Sequence, residues 1–251
     1  MPRYDFKSPR LFVDVPLRED VDIVLPPQAA HYLSTVLRLR PGDSVLVFNG
    51  RDGEWSATLS TAGKRSVQLR ADVQTRAQEA AADLHYLFAP LKQARLDYMV
   101  QKAVEMGVAR LVPVLTQHGQ VARLNAERMR ANAIEAAEQC GILTVPEVDE
   151  PLRLADAVAR LGAERTLVFC DEEADVRDPV AALATARRAG MQPLAVVVGP
   201  EGGFAPAERD ALLKAPGVVR LALGPRILRA DTAAVAALAL AQAVLGDWRV
   251  S

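Results

Sequence analysis

Two glycine-rich turns near the end of the chain are the residues whose types and spacing best suit chemistry. The first lies in VVVGPEGGF (196–204) and the second in LALGPRILRADTAAVAAL (221–238). In each, an apolar run leads into a Gly-Pro turn and then into a helical pattern. Glycine permits positive φ and lets other groups approach the backbone closely. One such turn is as often a tight corner as a site, but two in succession after apolar strands predict a ligand site.

Three familiar motifs are excluded at these turns. A phosphate-binding P-loop needs GxxxxGK[ST], and neither turn is followed by Lys-Ser or Lys-Thr. A dinucleotide fingerprint needs GxGxxG after an early strand, whereas this turn comes late and contains its own acid. A serine nucleophile elbow needs GxSxG, and the turns hold no serine. The residues alone therefore predict a site without identifying its ligand.

The composition limits the class of protein. The 251 residues carry a net charge of -1, so the overall charge gives no sign of a nucleic-acid partner. A local basic patch is still able to bind a nucleic acid. The two cysteines have no CxxC spacing and the histidines are isolated, so we expect no metal site. The start of the chain is polar, and the apolar run TAAVAALALAQAVLG is too short to cross a bilayer. We expect a cytoplasmic protein that does not bind a membrane.

The elements that position the turns change character along the chain. Residues 1–73 read as short strands with Pro-Gly and Asn-Gly turns and one helical stretch, PPQAAHYLSTVLRL, which predicts a small β-barrel domain. In residues 74–251, apolar runs alternate with helical patterns, which predicts a parallel sheet with helices on both faces. We expect Asp231 or Thr232 to cap the last helix and Gly246 to end it. Glu208 is expected to accept hydrogen bonds from amides at the start of the preceding helix.

The two turns together resemble the 16S ribosomal RNA uridine-N3 methyltransferases, the RsmE family of the SPOUT or α/β-knot superfamily. HYLSTVLRLRPGDSVLVFNGRDGEW resembles the PUA-like barrel of that family, and LDYMVQKAVEMGVARLVPVLT and AIEAAEQCG resemble its central blocks. The resemblance implies an α/β fold in which a C-terminal parallel-sheet trefoil-knot (SPOUT) domain follows the PUA-like β-barrel. It also implies S-adenosylmethionine as cofactor, a homodimer, and 16S ribosomal RNA of the small subunit as partner.

The resemblance implies which residues form the cofactor site. It also implies that the glycines leave space for the cofactor against bare backbone. The implied cofactor contacts are Phe169, Gly199, Glu201, Gly202, Gly203, Leu223, Gly224, Ile227 and Leu228. Phe169 belongs to the end of the preceding strand, which reaches Asp171. For Glu201, the alternative is that it orients its own turn.

The chemistry predicts two catalytic residues. Uracil N3 becomes a good nucleophile only after it loses its proton, and an arginine is suited to stabilise the resulting charge. We expect Arg229 to take this role, the alternative being a structural pair with Asp231. The base is Asp231 or bulk water. Asp231 stands where the family usually has glutamate, in LRADTA rather than LRxETA.

RNA binding has no clean motif. Candidate phosphate contacts are Arg10, Arg38 and Arg40 in the first domain and Lys92 and Arg226 in the second, each of which could also be a solvated side chain. His118, in TQHGQV, stands where the family usually has an arginine.

The function implied is S-adenosylmethionine-dependent methylation of uridine N3 in 16S ribosomal RNA. The alternatives are a SPOUT methyltransferase with another RNA target and a non-catalytic RNA-binding assembly factor.

Overall fold

The structure is a computed structural model that describes residues 5, 7–62, 67–119, 124–175 and 178–249. The chain divides into two compact units. The first comprises Met1–Ala80 with Ala137–Val145, and the second comprises Ala81–Ala136 with Pro146–Ser251.

The first unit is built on a sheet of five strands in the order β1-β3-β4-β5-β2. They are β1 (Arg10–Phe12), β2 (Asp22–Val24), β3 (Ser44–Phe48), β4 (Glu54–Ala62) and β5 (Val67–Arg76). β1 runs parallel to β3, and the other neighbours are antiparallel. Helix α1 (Pro27–His31) continues as a π-helical segment, Tyr32–Val36. The predicted short strands and single helical stretch are confirmed.

Alternating burial explains why these residues form a one-sided sheet. In β5, Val67, Leu69 and Ala71 are buried, whereas the residues between them are partly or fully exposed. Period-two alternation of this kind buries one face of a strand against a core. Leu33 of the π-helical segment is fully buried in the same apolar cluster as those β5 residues, so the helical segment covers that face.

The second unit is built on a parallel sheet of seven strands. Its order is β12-β10-β11-β6-β7-β8, with β9 also paired to β7. The strands are β6 (Leu84–Phe88), β7 (Arg110–Leu115), β8 (Glu147–Val148), β9 (Leu152–Arg153), β10 (Thr166–Cys170), β11 (Leu194–Val198) and β12 (Val218–Leu221). The helices are α2 (Gln93–Glu105), α3 (Ala126–Cys140), α4 (Leu154–Ala159), α5 (Pro179–Ala184), α6 (Pro206–Leu213) and α7 (Ala230–Val244). The end of α3 belongs to the first unit.

Burial on both faces explains the near-continuous apolar strands of this sheet. Every residue of β11 is buried, as expected when helices cover both sides of a parallel sheet. The predicted alternation of parallel strands and helices is therefore confirmed. Within the described ranges, none of the helices combines the length and apolar character needed to cross a membrane.

The ends of the last helices test the capping predictions. The Glu208 carboxylate accepts the Ala205 amide at 2.9 Å, as predicted. The prediction that Asp231 or Thr232 caps α7 is wrong, because the backbone stays extended only through Arg229, so both residues lie in the first helical turn. Asp231 complements the helix dipole there. Helix α7 ends at Val244 with Leu245 as its cap, and the Gly246 amide bonds back to the Ala241 carbonyl, in line with the predicted stop.

Candidate active site

One cavity of about 540 Å³ lies at the carboxyl ends of β10, β11 and β12. Its walls are the end of β10 with the loop after it, the turn after β11 and the loop after β12. Ligand pockets of drug-sized molecules span about 300–1,000 Å³. The cavity is therefore large enough for a nucleoside-sized ligand at the position that parallel sheets favour for binding.

The structure brings most of the predicted cofactor residues into this cavity wall. From the first turn, Gly199, Glu201 and Gly203 line it, and from the loop after β12 it is lined by Leu223, Gly224, Ile227 and Leu228. Phe169 of β10 and the predicted RNA contact Arg226 also line it. Gly202, Arg229 and Asp231 are not part of this lining.

The glycines of the two turns make room for different groups. A Cβ on Gly199 would lie 2.7 Å from a ring carbon of Phe204, and a Cβ on Gly202 would lie 3.3 Å from the His118 Cβ. These two glycines therefore admit neighbouring side chains rather than a ligand, which corrects the expectation that they leave open space. Gly224 differs, because a Cβ there would meet nothing within 4 Å and its φ is +94°. Open space against bare backbone is found at Gly224.

A buried carboxylate, Asp171, ties the walls of the cavity together. It follows β10 directly and is 4% exposed. The Arg209 Nη2 of α6 lies 2.9 Å from its Oδ2, and the Arg220 Nε of β12 lies 2.8 Å from the same oxygen. Burial acts to raise the pKa of Asp171, but the hydrogen bonds from Arg209 and Arg220 prevail and hold that pKa below its ordinary value. Asp171 is therefore ionised at neutral pH and links three elements of the site.

Glu201 of the first turn is paired with Arg95 of α2. The Arg95 guanidinium donates to the Glu201 carboxylate, and this hydrogen bond raises the pKa of Arg95 further above its ordinary value. Both side chains remain about one-third exposed, at 32% and 39%. Glu201 is thus oriented by α2 while it lines the cavity.

The loop after β7, residues Thr116–Gly119, packs against the same turn. The His118 Nδ1 lies 3.1 Å from the Gly202 carbonyl oxygen and 3.2 Å from that of Gly203. One position earlier, the Gln117 amide donates to Glu208 Oε1 at 2.8 Å. The β7 loop therefore contacts the first turn and the start of α6.

The loop after β12 exposes two cations and an apolar side chain, and of these Arg226 and Ile227 line the cavity. Arg226 and Arg229 are exposed, and Ile227 is 100% exposed. The Asp231 Oδ1 accepts the Thr232 amide at 2.9 Å, and no ion pair between Arg229 and Asp231 is found among the described residues. The Arg229 guanidinium is therefore open to an incoming anion.

Cys170, at the end of β10, also lines the cavity, and burial raises the pKa of its thiol to about 12. A thiol with that pKa stays protonated at neutral pH, so it is not a ready nucleophile. Among the described side chains, no group of three His, Cys, Asp or Glu residues could hold a metal ion.

The predicted RNA contacts differ in whether their side chains are accessible. Arg10 is buried and its Nε donates to Glu54 at 2.7 Å, so its guanidinium is not available to a phosphate. The structure therefore contradicts the assignment of Arg10 to RNA binding. Arg38 and Arg40 are exposed after the π-helical segment, and Arg38 has φ +56°, a strained value for a residue with a side chain. In the second unit, Lys92 is exposed at the start of α2.

The contacts that the sequence did not predict all join residues far apart along the chain. Arg209 and Arg220 reach Asp171 across 38 and 49 positions, and His118 reaches Gly202 across 84. The available signal was the position of Asp171 directly after a predicted strand. Its arginine partners had no local signature.

These features define a parallel α/β protein with a nucleoside-sized cavity built from backbone turns at three neighbouring strand ends, and with a second, β-rich unit. Residues 78–242 match the family model described as the RNA methyltransferase domain, and residues 25–72 match that described as the RNA methyltransferase PUA domain. The chain belongs to the RNA methyltransferase family that the first of these domains defines.

Individual relatives agree with this family over almost the whole chain. The chain is 29% identical to the Ribosomal RNA small subunit methyltransferase E of Rickettsia conorii, over 93% of its own length and 94% of the relative. It is 28% identical to the solved Ribosomal RNA small subunit methyltransferase E of Neisseria gonorrhoeae, which is bound to S-adenosyl methionine. That match has a TM-score of 0.81 and covers 96% of this chain and 100% of the other.

A third similar structure is a methyltransferase from Legionella pneumophila in complex with bound SAM. It is 28% identical, with a TM-score of 0.83, and the match covers 96% of this chain and 99% of the other. The resemblance drawn from the two glycine turns and the predicted α/β fold with a PUA domain are confirmed by these comparisons.

Proposed function

We propose that this protein transfers the methyl group of S-adenosylmethionine to N3 of a uridine in 16S ribosomal RNA of the small subunit. The observation that carries the proposal is the cavity at the ends of β10, β11 and β12. It lies in a chain that aligns from end to end with a ribosomal RNA small subunit methyltransferase E that binds S-adenosyl methionine.

The charges of the cavity wall fit this cofactor. The wall carries four carboxylates, on Asp171, Glu172, Glu173 and Glu201, and the two guanidiniums of Arg209 and Arg226. Two of these carboxylates, Asp171 and Glu201, are also paired with Arg220 and Arg95 from outside the lining, so the wall has no net positive charge. A wall without net positive charge does not attract a polyphosphate and is compatible with a sulfonium cation and an amino-acid zwitterion. The volume and the bare backbone at Gly224 fit an adenosyl group.

Residues of both turns would hold the cofactor. In the proposal, Leu223, Ile227 and Leu228 provide apolar contacts for the adenosyl group, and Gly203 and Gly224 provide close backbone approach. When bound, the sulfonium supplies an activated methyl group, which needs only a nucleophile held in line. The chain must therefore position and deprotonate the uracil.

Arg229 is the residue proposed to stabilise the uracil anion. Its exposure and its lack of a partner among the described residues support this role, since a guanidinium free of ion pairs can donate to N3 and the flanking oxygens. The N3 proton passes to Asp231 or to water. An Asp231→Asn variant distinguishes the two acceptors. If Asp231 is the base, the variant loses one titration from the pH–rate profile; if water accepts the proton, the profile of the variant keeps the shape of the wild-type profile.

RNA is proposed to contact positive side chains in each domain. We assign residues 1–73 to an RNA-binding PUA-like domain and residues 74–251 to the methyltransferase domain. Arg38 and Arg40 would contact phosphates in the first, and Lys92 and Arg226 in the second. The target uridine would be presented outside any stack, because its N3 is otherwise engaged in pairing.

The assembly and the location of the protein are proposed from the family resemblance. We propose that it acts as a homodimer, that its last strands and helix form a trefoil knot, and that it works in the cytoplasm, where ribosomal subunits are found. Sedimentation equilibrium measures the first of these directly, and a monomer at all concentrations would overturn it.

The function is tested with labelled S-adenosylmethionine and small ribosomal subunits that lack the modification. After nuclease digestion, mass analysis should find the label in 3-methyluridine. Label on a ribose oxygen or another base would replace the target with that of a different RNA methyltransferase. Cofactor binding without label in RNA would overturn the ribosomal substrate, and absence of cofactor binding would favour a non-catalytic RNA-binding factor.

A further inference from the structure

The contact between the loop after β7 and the first glycine turn requires a hydrogen-bond donor on the side chain at position 118. The His118 Nδ1 faces two carbonyl oxygens, those of Gly202 and Gly203, at 3.1 Å and 3.2 Å. Carbonyl oxygens only accept hydrogen bonds. The Nδ1 atom must therefore carry a proton and donate it to the turn, in the neutral Nδ1–H form as well as in the imidazolium.

The approach of His118 depends on the glycine opposite it. A Cβ at Gly202 would lie 3.3 Å from the His118 Cβ, closer than ordinary side-chain contact. The absence of a side chain at Gly202 is thus explained by the histidine, since Gly202 does not line the cavity.

The turn has little else to hold its backbone in one conformation. Gly202 and Gly203 are adjacent glycines, and glycine loses more conformational freedom on ordering than any other residue. Within the turn, the Gly203 amide bonds to the Pro200 carbonyl at 2.9 Å. From outside it, the described hydrogen bonds and ion pairs are the Arg95–Glu201 pair and the donation from His118, and the Phe204 ring packs against Gly199. A ligand that needs the turn in one conformation binds more weakly when the turn is not already ordered.

We propose that His118 is a positioning residue that orders the Gly199–Gly203 turn for cofactor binding, through donation from Nδ1 to the two glycine carbonyls. The proposal rests on the proposed function, because it takes the cavity that Gly203 lines as the S-adenosylmethionine site. It assigns to His118 a role within the protein rather than a contact with RNA.

The test compares three substitutions by calorimetric titration of the full chain with S-adenosylmethionine. In His118→Asn the side-chain amide reproduces the Nδ1 donor, in His118→Gln the amide lies one carbon further out, and His118→Ala has none. We expect His118→Asn to stay within about twofold of the wild-type Kd. We expect the Gln and Ala variants to bind about three- to tenfold more weakly, the usual effect of one hydrogen bond.

Two further measurements separate ordering of the turn from a general structural role. Gly202→Ala, which requires His118 to shift by a few tenths of an ångström, should weaken cofactor binding by no more than His118→Ala does. All four variants should unfold within about 2 °C of the wild type, because His118 and Gly202 are exposed. In the cofactor-free protein, ¹⁵N NMR should find the neutral His118 ring in its Nδ1–H tautomer.

The outcomes distinguish this inference from the proposed function. Wild-type protein that does not bind S-adenosylmethionine overturns the proposed function, whereas the NMR measurement still tests the hydrogen bond. Wild-type binding with an unchanged Kd in His118→Ala overturns the positioning role. An Nε2–H tautomer of His118 in the cofactor-free protein overturns the donation itself.

Discussion

Replacement of Asp171 with asparagine should lower the free energy of unfolding of the second unit, because this residue holds together the elements that form the cavity. The carboxylate is 3% exposed in its side chain and binds Arg209 and Arg220, whose side chains are 25% and 35% exposed. Asparagine keeps the size but removes the charge and turns one acceptor into a donor that faces a guanidinium. The two arginines lose their shared anionic partner; among the described residues, Arg209 keeps an ion pair with Glu173 at 3.3 Å and Arg220 keeps the Glu173 carbonyl at 3.0 Å.

The magnitude follows from the burial of the partners. Breaking a fully buried ion pair costs about 3–5 kcal/mol. Because both guanidiniums are partly exposed and can be hydrated, we expect a smaller loss of about 2–3 kcal/mol. For a domain of this size, that loss lowers the melting temperature by about 4–12 °C. The matched control is Glu172→Gln, which removes the same charge from an exposed side chain next in the chain and should change little.

The pH dependence of this difference gives a second test. The pKa of Asp171 is held below its ordinary value of 3.8 in the folded state. Its stabilising contribution is therefore complete above pH 3.8 and is lost as the pH falls through the folded-state pKa. Urea unfolding of wild type and Asp171→Asn should show a constant difference from about pH 5 to 8 that shrinks below about pH 3.8. Equal stability at pH 7, or a difference that grows on acidification, would refute the reasoning.

Three further predictions follow from the site. Arg229→Ala should lower turnover by about 10²- to 10³-fold, because it removes the donor to the uracil anion, yet leave the S-adenosylmethionine Kd within about twofold; equal losses in both would contradict its role. Gly224→Val should raise the Kd for S-adenosylmethionine more than about tenfold, because the valine fills the open space of the cavity. The control is Gly42→Val in the other unit, where φ is +95° and the surroundings are equally open; it should leave this Kd unchanged. Combined Arg38→Ala and Arg40→Ala substitutions should reduce the slope of log K for RNA against log salt by roughly 1.4–1.8, and an unchanged slope would rule out phosphate contact.

Much of the fold could be predicted because burial leaves a pattern in the sequence. β11 is buried throughout and reads as a continuous apolar run, and β5 alternates because only one of its faces is covered. The helix α4 and the strands β8 and β9 were not predicted, since six and two residues are too few to establish a period. The start of α7 was misplaced because capping depends on where the preceding loop leaves its extended conformation.

The candidate site could be located from the sequence, but its internal contacts could not. Parallel strands end at the same edge, so the two glycine turns had to meet near Phe169. Which group each glycine admits depends on side chains far away in sequence, as with His118 against Gly202 and Arg95 against Glu201, 106 positions apart. Arg10 shows the converse, because a cation in the sequence carries no sign of the buried Glu54 that binds it.

A crystal structure of this protein grown with saturating S-adenosylmethionine tests the central claim most directly. The account predicts density for the adenosyl and methionine groups between the turn at Gly199–Gly203 and the loop at Leu223–Leu228, with the adenosyl group against Gly224. An empty cavity at a cofactor concentration that saturates binding in solution, or cofactor density elsewhere on the chain, would contradict it.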